Sequence, residues 1–186
     1  MTRPALAGLL ALLLAACAAS EPPRTAAAEE PAALAETVAA LLAGAEADAG
    51  AGRTSALARR VARLEALGAR PAQDAGEDPV AAWRASTGSE AIPFRGRALG
   101  PAYRRGTLAA DSELELTQTF LSGRRAVIAV SSPAGNAPAL RVVSASGTTV
   151  CESAARCRWT PVFTERYAIT LRNTSRQARA YYLVVE

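Results

Sequence analysis

Three cysteines, one close pair of carboxylates and two arginine pairs are the residues whose types and spacing could do chemistry. What is missing narrows that chemistry first. The 186-residue chain has no His, and all 21 of its basic residues are Arg. Without His there is no Ser-His-Asp triad, no Cys-His pair and no His-ligated metal. Without Lys there is no Schiff-base lysine and no P-loop lysine. Glu113 and Glu115 would share one face of a strand, about 7 Å apart by strand rise. Paired carboxylates at such distances can hydrolyse glycosides. The same spacing describes two solvated residues on an outer strand face, and no aromatic sugar platform lies beside them in sequence. The expectation is therefore a protein that is not an enzyme and has no cofactor. Arg104-Arg105 and Arg124-Arg125 adjoin turns and are the candidate contacts for an anionic partner.

The three cysteines divide by context. Met1, Thr2 and Arg3 make a short positive segment, and Ala5 to Ala16 is an apolar run. A membrane-spanning helix needs about 20 apolar residues, so this run is too short to be one. Small residues follow it, which is the profile of a cleaved signal peptide. The end of the run, Leu14-Ala15-Ala16-Cys17, resembles the lipobox of bacterial lipoproteins. That resemblance implies cleavage before Cys17 and acylation of Cys17, with the membrane as partner through lipid. Two or more acyl chains hold a protein stably on a bilayer. Ala18 after the modified cysteine resembles an outer-membrane sorting signal, so the expected location is the cell envelope, at the outer membrane facing the periplasm. Removing Cys17 from the count leaves Cys151 and Cys157, an even pair in an oxidising compartment. They end two adjacent short strand candidates, and a hairpin-like connection would place them within bonding distance. Two Cys without His or a second Cys pair do not make a zinc site.

The elements that must position these residues can be read in order. Residues 1–16 are the signal peptide and 17–30 an Ala- and Pro-rich lipidated tether. Within 31–70, two helical stripes form a hairpin. Leu34, Val38, Leu41, Leu42 and Ala45 make the first stripe, with Glu36 and Glu46 off it. Leu57, Val61 and Leu64 make the second, after a Gly-rich break at 44–52 and an N-cap at Thr54 or Ser55. The hairpin is either a spacer or lid for the next domain or a partner-docking element. Residues 71–92 are a linker with a short helix, capped by Asp78 with Pro79 at its first position. Trp83 is expected to plug onto the domain that follows.

From residue 93 the apolar period becomes two. Strand candidates are 112–121, 125–131, 139–146, 148–151, 156–160, 165–172 and 178–186, separated by turn residues. Leu114, Leu116 and Phe120 share a face, as do Tyr167, Ile169 and Leu171, and Tyr181, Leu183 and Val185. The fold class is mainly β: an antiparallel jelly-roll-like β-sandwich over 93–186, preceded by the short α-helical hairpin and expected to fold by itself. The halves differ in charge. Residues 17–92 carry a net −4 and 93–186 a net +7. A basic domain favours anionic partners, here an envelope protein or an anionic envelope polymer rather than nucleic acid. The acidic helical part could equally dock on the basic sandwich of the same chain.

Leu140-Arg141-Val142-Val143-Ser144-Ala145-Ser146-Gly147 before Cys151 is one informative stretch. Trp159-Thr160-Pro161-Val162-Phe163-Thr164 with Tyr167-Ala168-Ile169-Thr170-Leu171 is the other. Together they resemble the bacterial pre-peptidase C-terminal β-sandwich over about 107–186. The resemblance implies a non-catalytic module of a secreted protein, a family in which several members bind Ca²⁺ through Asp-rich strands. Here that stretch reads Ala139-Leu140-Arg141-Val142, with Arg141 in place of acidic residues. Calcium sites need several oxygen ligands, usually with carboxylates among them. No metal is expected. The functional expectation is a lipid-anchored envelope protein with an interaction or structural module. The alternative is an accessory chaperone or inhibitor of another exported protein.

Overall fold

The computed structural model describes residues 33–89 and 100–186. Cys17 and its surroundings lie outside them, as does the division near residue 93. Helix α1 spans Leu34–Gly50 and α2 Thr54–Ala66. A two-residue strand β1, Arg70–Pro71, leads to α3, Pro79–Thr87. Eight strands follow: β2 Ala102–Leu108, β3 Ser112–Phe120, β4 Ala126–Ser131, β5 Ala139–Ser144, β6 Thr149–Ala154, β7 Arg156–Trp159, β8 Glu165–Asn173 and β9 Arg179–Val185. They form two sheets, ordered β1-β2-β9-β4-β7 and β3-β8-β5-β6. From β2 onward the chain changes sheet at every connection but the one between β5 and β6, and only the β1–β2 pair is parallel.

Alternation along the strands fills the space between the sheets. Leu108, Ile128, Val130, Leu140, Val142, Ile169, Leu171 and Leu183 are buried there with Phe120 and Tyr167. The exposed face of β3 carries Glu113 and Glu115, as a half-buried strand should. The two central strands of the first sheet behave differently. In β4 Ala126, Val127, Ile128, Ala129 and Val130 are all buried, and in β9 so are Tyr181, Tyr182, Leu183 and Val184. A continuous apolar strand needs cover on both faces. The helices supply it. Val38, Ala39 and Leu42 of α1 and Val61 and Leu64 of α2 share a second core with Tyr103, Val127, Ala129, Tyr182 and Val184. The molecule is thus three layers, helices on sheet on sheet.

The helices differ from expectation at their ends. α1 continues through Gly44 to Gly50, with the Arg60 guanidinium lying close over Gly44. Asp48, only 4% exposed, accepts from Arg53 at 2.7 Å and from Arg60 at 2.8 Å and so closes the hairpin. Arg53, with no side-chain cap bond, stands at the N-cap expected for Thr54 or Ser55. Asp78 does cap α3, accepting from the Val80 N–H at 3.0 Å, and it also accepts from the Tyr103 hydroxyl. Trp83 packs against the shared core, with its ring 6.4 Å from Tyr182. Gly100 lies so close to the Gly68 carbonyl that a Cβ there would collide with it, which lets β1 approach β2.

Cys151 and Cys157 form the disulfide, with Cα atoms 5.9 Å apart. The connection is not a hairpin. β6 lies in the second sheet and β7 in the first, so the bridge staples the two sheets where the chain crosses between them. Cys151 stands opposite Val142 and Cys157 opposite Ile128.

Residues Ala32–Glu186 cluster as one unit. A chain starting at residue 93 would expose Val127, Ala129, Tyr182 and Val184, which α1 and α2 cover in the longer unit. Such a truncation should melt without cooperativity and bind a hydrophobic dye; a sharp melt equal to that of 32–186 would contradict the shared core. Within 32–186, Leu42→Ala should cost about 2–5 kcal/mol in chemical denaturation. Cys151→Ser with Cys157→Ser should cost about 2.4 kcal/mol on the chain-entropy estimate for so short a loop. For a chain of this size that is a fall in Tm of about 5–10 °C, read by calorimetry.

Candidate functional site

The arginine pairs named from the sequence do not make one surface. The strand register sets Arg105 level with Tyr182, and Tyr182 level with Ser131 at the far end of β4. Arg124 and Arg125 precede the near end of β4. The two pairs are therefore separated by roughly 20 Å along the strand. Arg105 is bound by Glu46 of α1, donating to its two carboxylate oxygens at 3.1 and 2.7 Å. Arg104 is paired with Asp74. The guanidiniums of these two are engaged within the chain. The acidic helices meet the basic sandwich, as one of the sequence alternatives had it.

The same pairing recurs at the start of α1. Glu36 accepts from Arg158 at 2.6 Å, and Arg156 stands 3.6 Å away. The Arg158 hydrogen bond, then the charges of Arg158, Arg156 and Arg125, hold the Glu36 carboxyl below its ordinary 4.5 against the opposing effect of burial. Burial pushes Glu46 up, but hydrogen bonds from Arg105 and Tyr182, with the Arg105 charge, outweigh it and leave Glu46 lowered as well. Ala35 N–H donates to Glu186 at 2.9 Å, and the Ser131 hydroxyl donates to the Ala39 carbonyl at 2.6 Å. α1 thus runs along β4 in the same direction and is clamped at both ends. Sequence periodicity placed Glu36 and Glu46 off the apolar stripe, which is correct, but it carried no sign of their arginine partners.

Glu113 and Glu115 border an open groove of about 390 Å³ on the outer face of the second sheet, with Arg141, Glu152, Thr170 and Arg172. Glu113 lies opposite Arg172 in register, 3.2 Å away, and both side chains are more than half exposed. Arg141, where the family resemblance would place calcium ligands, sits 3.8 Å from Glu152. Among the described residues there is no group of three or more His, Cys, Asp or Glu able to hold a metal ion.

Arg124 and Arg125 belong to a different feature. The β3–β4 turn, 121–125, and the β7–β8 loop, 160–164, lie side by side at one end of the sandwich. The Ser122 hydroxyl donates to the Val162 carbonyl at 2.6 Å, the Ser122 N–H to the Thr164 hydroxyl at 3.0 Å, and the Gly123 N–H to the Pro161 carbonyl at 2.8 Å. Under them Phe120, Trp159 and Tyr167 stack in edge and tilted contacts, with centroids 4.7 to 5.7 Å apart. On this base Leu121, Val162 and Phe163 stand outward, 52%, 75% and 72% exposed. Arg124 and Arg125 are exposed beside them. Exposed apolar side chains clustered in this way mark contact surfaces. The strand candidates 156–160 and 165–172 leave Val162 and Phe163 in a connection, but spacing carried no sign that both side chains stay exposed.

The clamp gives a pH dependence with a definite sign. Glu36, Glu46 and Asp48 all have carboxyls lowered in the folded chain. Lowered carboxyls stabilise the fold above their unfolded values and lose that contribution as pH falls. The Tm of 32–186 should therefore be level above about pH 5.5 and fall toward pH 3. Glu36→Gln with Glu46→Gln should lower Tm at neutral pH and flatten the acid fall; parallel pH profiles of wild type and variant would contradict the clamp.

No family model and no curated protein matches the chain. Among solved structures it resembles PliG of Aeromonas hydrophila, a periplasmic inhibitor of g-type lysozyme, at 10% identity and TM-score 0.36, over 46% of this chain and 84% of that one. It resembles the pre-peptidase C-terminal domain of a collagenase from Bacillus anthracis at 14% identity and TM-score 0.36, over 46% and 88% of the two chains. The Yersinia pseudotuberculosis-derived mitogen aligns at 11% identity and TM-score 0.36, over 46% and 84%. Likeness of this strength covers less than half of the chain and carries no argument about its activity.

Proposed function

We propose that this chain is a lipid-anchored, non-catalytic interaction module of the bacterial cell envelope, held at the outer membrane and facing the periplasm. The observation that carries the reading is Leu14-Ala15-Ala16-Cys17 at the end of a twelve-residue apolar run. The disulfide supports an oxidising compartment. No described helix is long and apolar enough to cross a membrane. A lipid on Cys17 would supply the attachment that those helices do not. The exposed tip at Leu121, Val162 and Phe163 supports a binding role. The exposed, arginine-paired state of Glu113 argues for a structural use of that carboxylate.

Mass spectrometry of the purified N-terminal peptide should show acylated Cys17. Cys17→Ser should move the protein from the membrane fraction to the soluble fraction of cells. A variant that remains in the membrane fraction, or a peptide with an unmodified Cys17, would overturn the anchor.

A further inference from the structure

The tip is built to hold apolar groups in solvent, and its surroundings say what covers it. Its two loops are cross-bonded through Ser122 and Gly123 above an aromatic cluster, and Val162 and Phe163 stand exposed on them. Arg124 and Arg125 stand in the neighbouring β3–β4 turn, with Leu121. The direction of α1 adds a third fact. Its first turn, at Glu36, bonds Arg158 and feels the charge of Arg125, which sets the start of α1 at this end of the sandwich. Cys17 lies sixteen residues before Ala33. Fully extended, that length reaches at most about 55 Å, which keeps the tip within touching range of any surface holding Cys17. Tethering of this kind raises the effective concentration of a second, weak contact.

We propose that the tip formed by Leu121, Val162, Phe163 and Arg124 seats on an anionic phospholipid bilayer. The apolar side chains enter the acyl boundary and the arginine meets lipid phosphates, the combination by which proteins lie at a bilayer interface. The site deepens the anchored reading given above and rests on it for the surface: it would use the bilayer that a lipid on Cys17 holds. The contact orients the sandwich, with β1 and the far end of β4 directed away from the lipid. It belongs to residues 32–186 and does not require the acyl chains.

The test uses residues 32–186, which form one unit with their own cores. Vesicles of phosphatidylcholine with phosphatidylglycerol, and of phosphatidylcholine alone, are sedimented with the protein. Binding should be measurable on the anionic vesicles and weaken with added salt. Val162→Ser with Phe163→Ser should lower the partition constant by about tenfold or more, because two exposed apolar groups lose their burial. Arg124→Gln should lower it by about threefold and reduce the salt dependence. The melting temperatures of these variants check that they fold. No binding to anionic vesicles, or binding unchanged by Val162→Ser and Phe163→Ser, overturns the proposal. So does a tip that instead joins two copies of the chain, seen as a dimer lost in the double variant with no vesicle binding. The result is independent of Cys17: the anchor can fail in cells while the vesicle contact stands, and the reverse.

Discussion

Helix α1 lying along strand β4 is the contact on which the rest of the structure depends. Val38, Ala39 and Leu42 cover one face of the first sheet, and the second sheet covers the other. β4 and β9 can be apolar on both sides only because of that cover. Small residues on the helix, Ala35, Ala39 and Ala45, let the backbone approach the sheet closely, and all three are fully or almost fully buried. The abundance of Ala thus has a packing role, although each Ala buries little area by itself. The Glu36 and Glu46 pairs at either end fix the direction of the helix. Partly exposed ion pairs contribute little stability each, so their role here is registry, while burial supplies the energy.

That registry has consequences at both ends of the sandwich. The N-terminal turn of α1 is held by Arg158 of β7, with Arg156 beside it. Towards its C-terminal end, Glu46 of α1 bonds Arg105 and Tyr182, and Trp83 of α3 sets its ring beside Tyr182. The disulfide ties the sheets at the crossing from β6 to β7, where β7 is only four residues long and has few ladder bonds of its own. At the turns between β2 and β3 and between β8 and β9, the buried Asn173 side chain donates to the Ala109 and Gln177 carbonyls at 2.7 and 2.8 Å. Each end of the sandwich is therefore held by specific polar bonds, and only the tip presents large apolar groups to solvent among the described residues.

Much of this was legible in the sequence because local patterns carried it. The faces of β3 and β8, the Asp78 cap and the pairing of Cys151 with Cys157 by parity all follow from spacing and residue type. β2 was missed because Ala102-Tyr103-Arg104-Arg105-Gly106-Thr107-Leu108 has two charges and a glycine where alternation would be sought. Gly106 is required there by the Tyr181 ring that lies over it, a non-local reason. In β9 the alternation of Tyr181, Leu183 and Val185 hid the burial of Tyr182 and Val184, since cover by a helix far away in sequence leaves no local trace. The same holds for Arg104 and Arg105, whose acidic partners stand about 30 and 59 positions earlier. Of the candidate site, Arg124 and Arg125 were marked by type, whereas the exposure of Phe163 became visible only once the loop was placed.

The shared core makes α1 part of the same cooperative unit as β4 and β9. Native-state hydrogen exchange on residues 32–186 measures this, because it reads the opening free energy of each amide separately. In one unit, the amides of Ala39 to Ala45 open with the same free energy as those of Ile128 and Leu183, and all shift together when denaturant is added. If α1 instead opens on its own, exchanging about tenfold or more faster than β4 and β9 with a smaller denaturant dependence, the helix is an accessory layer, which contradicts the single unit.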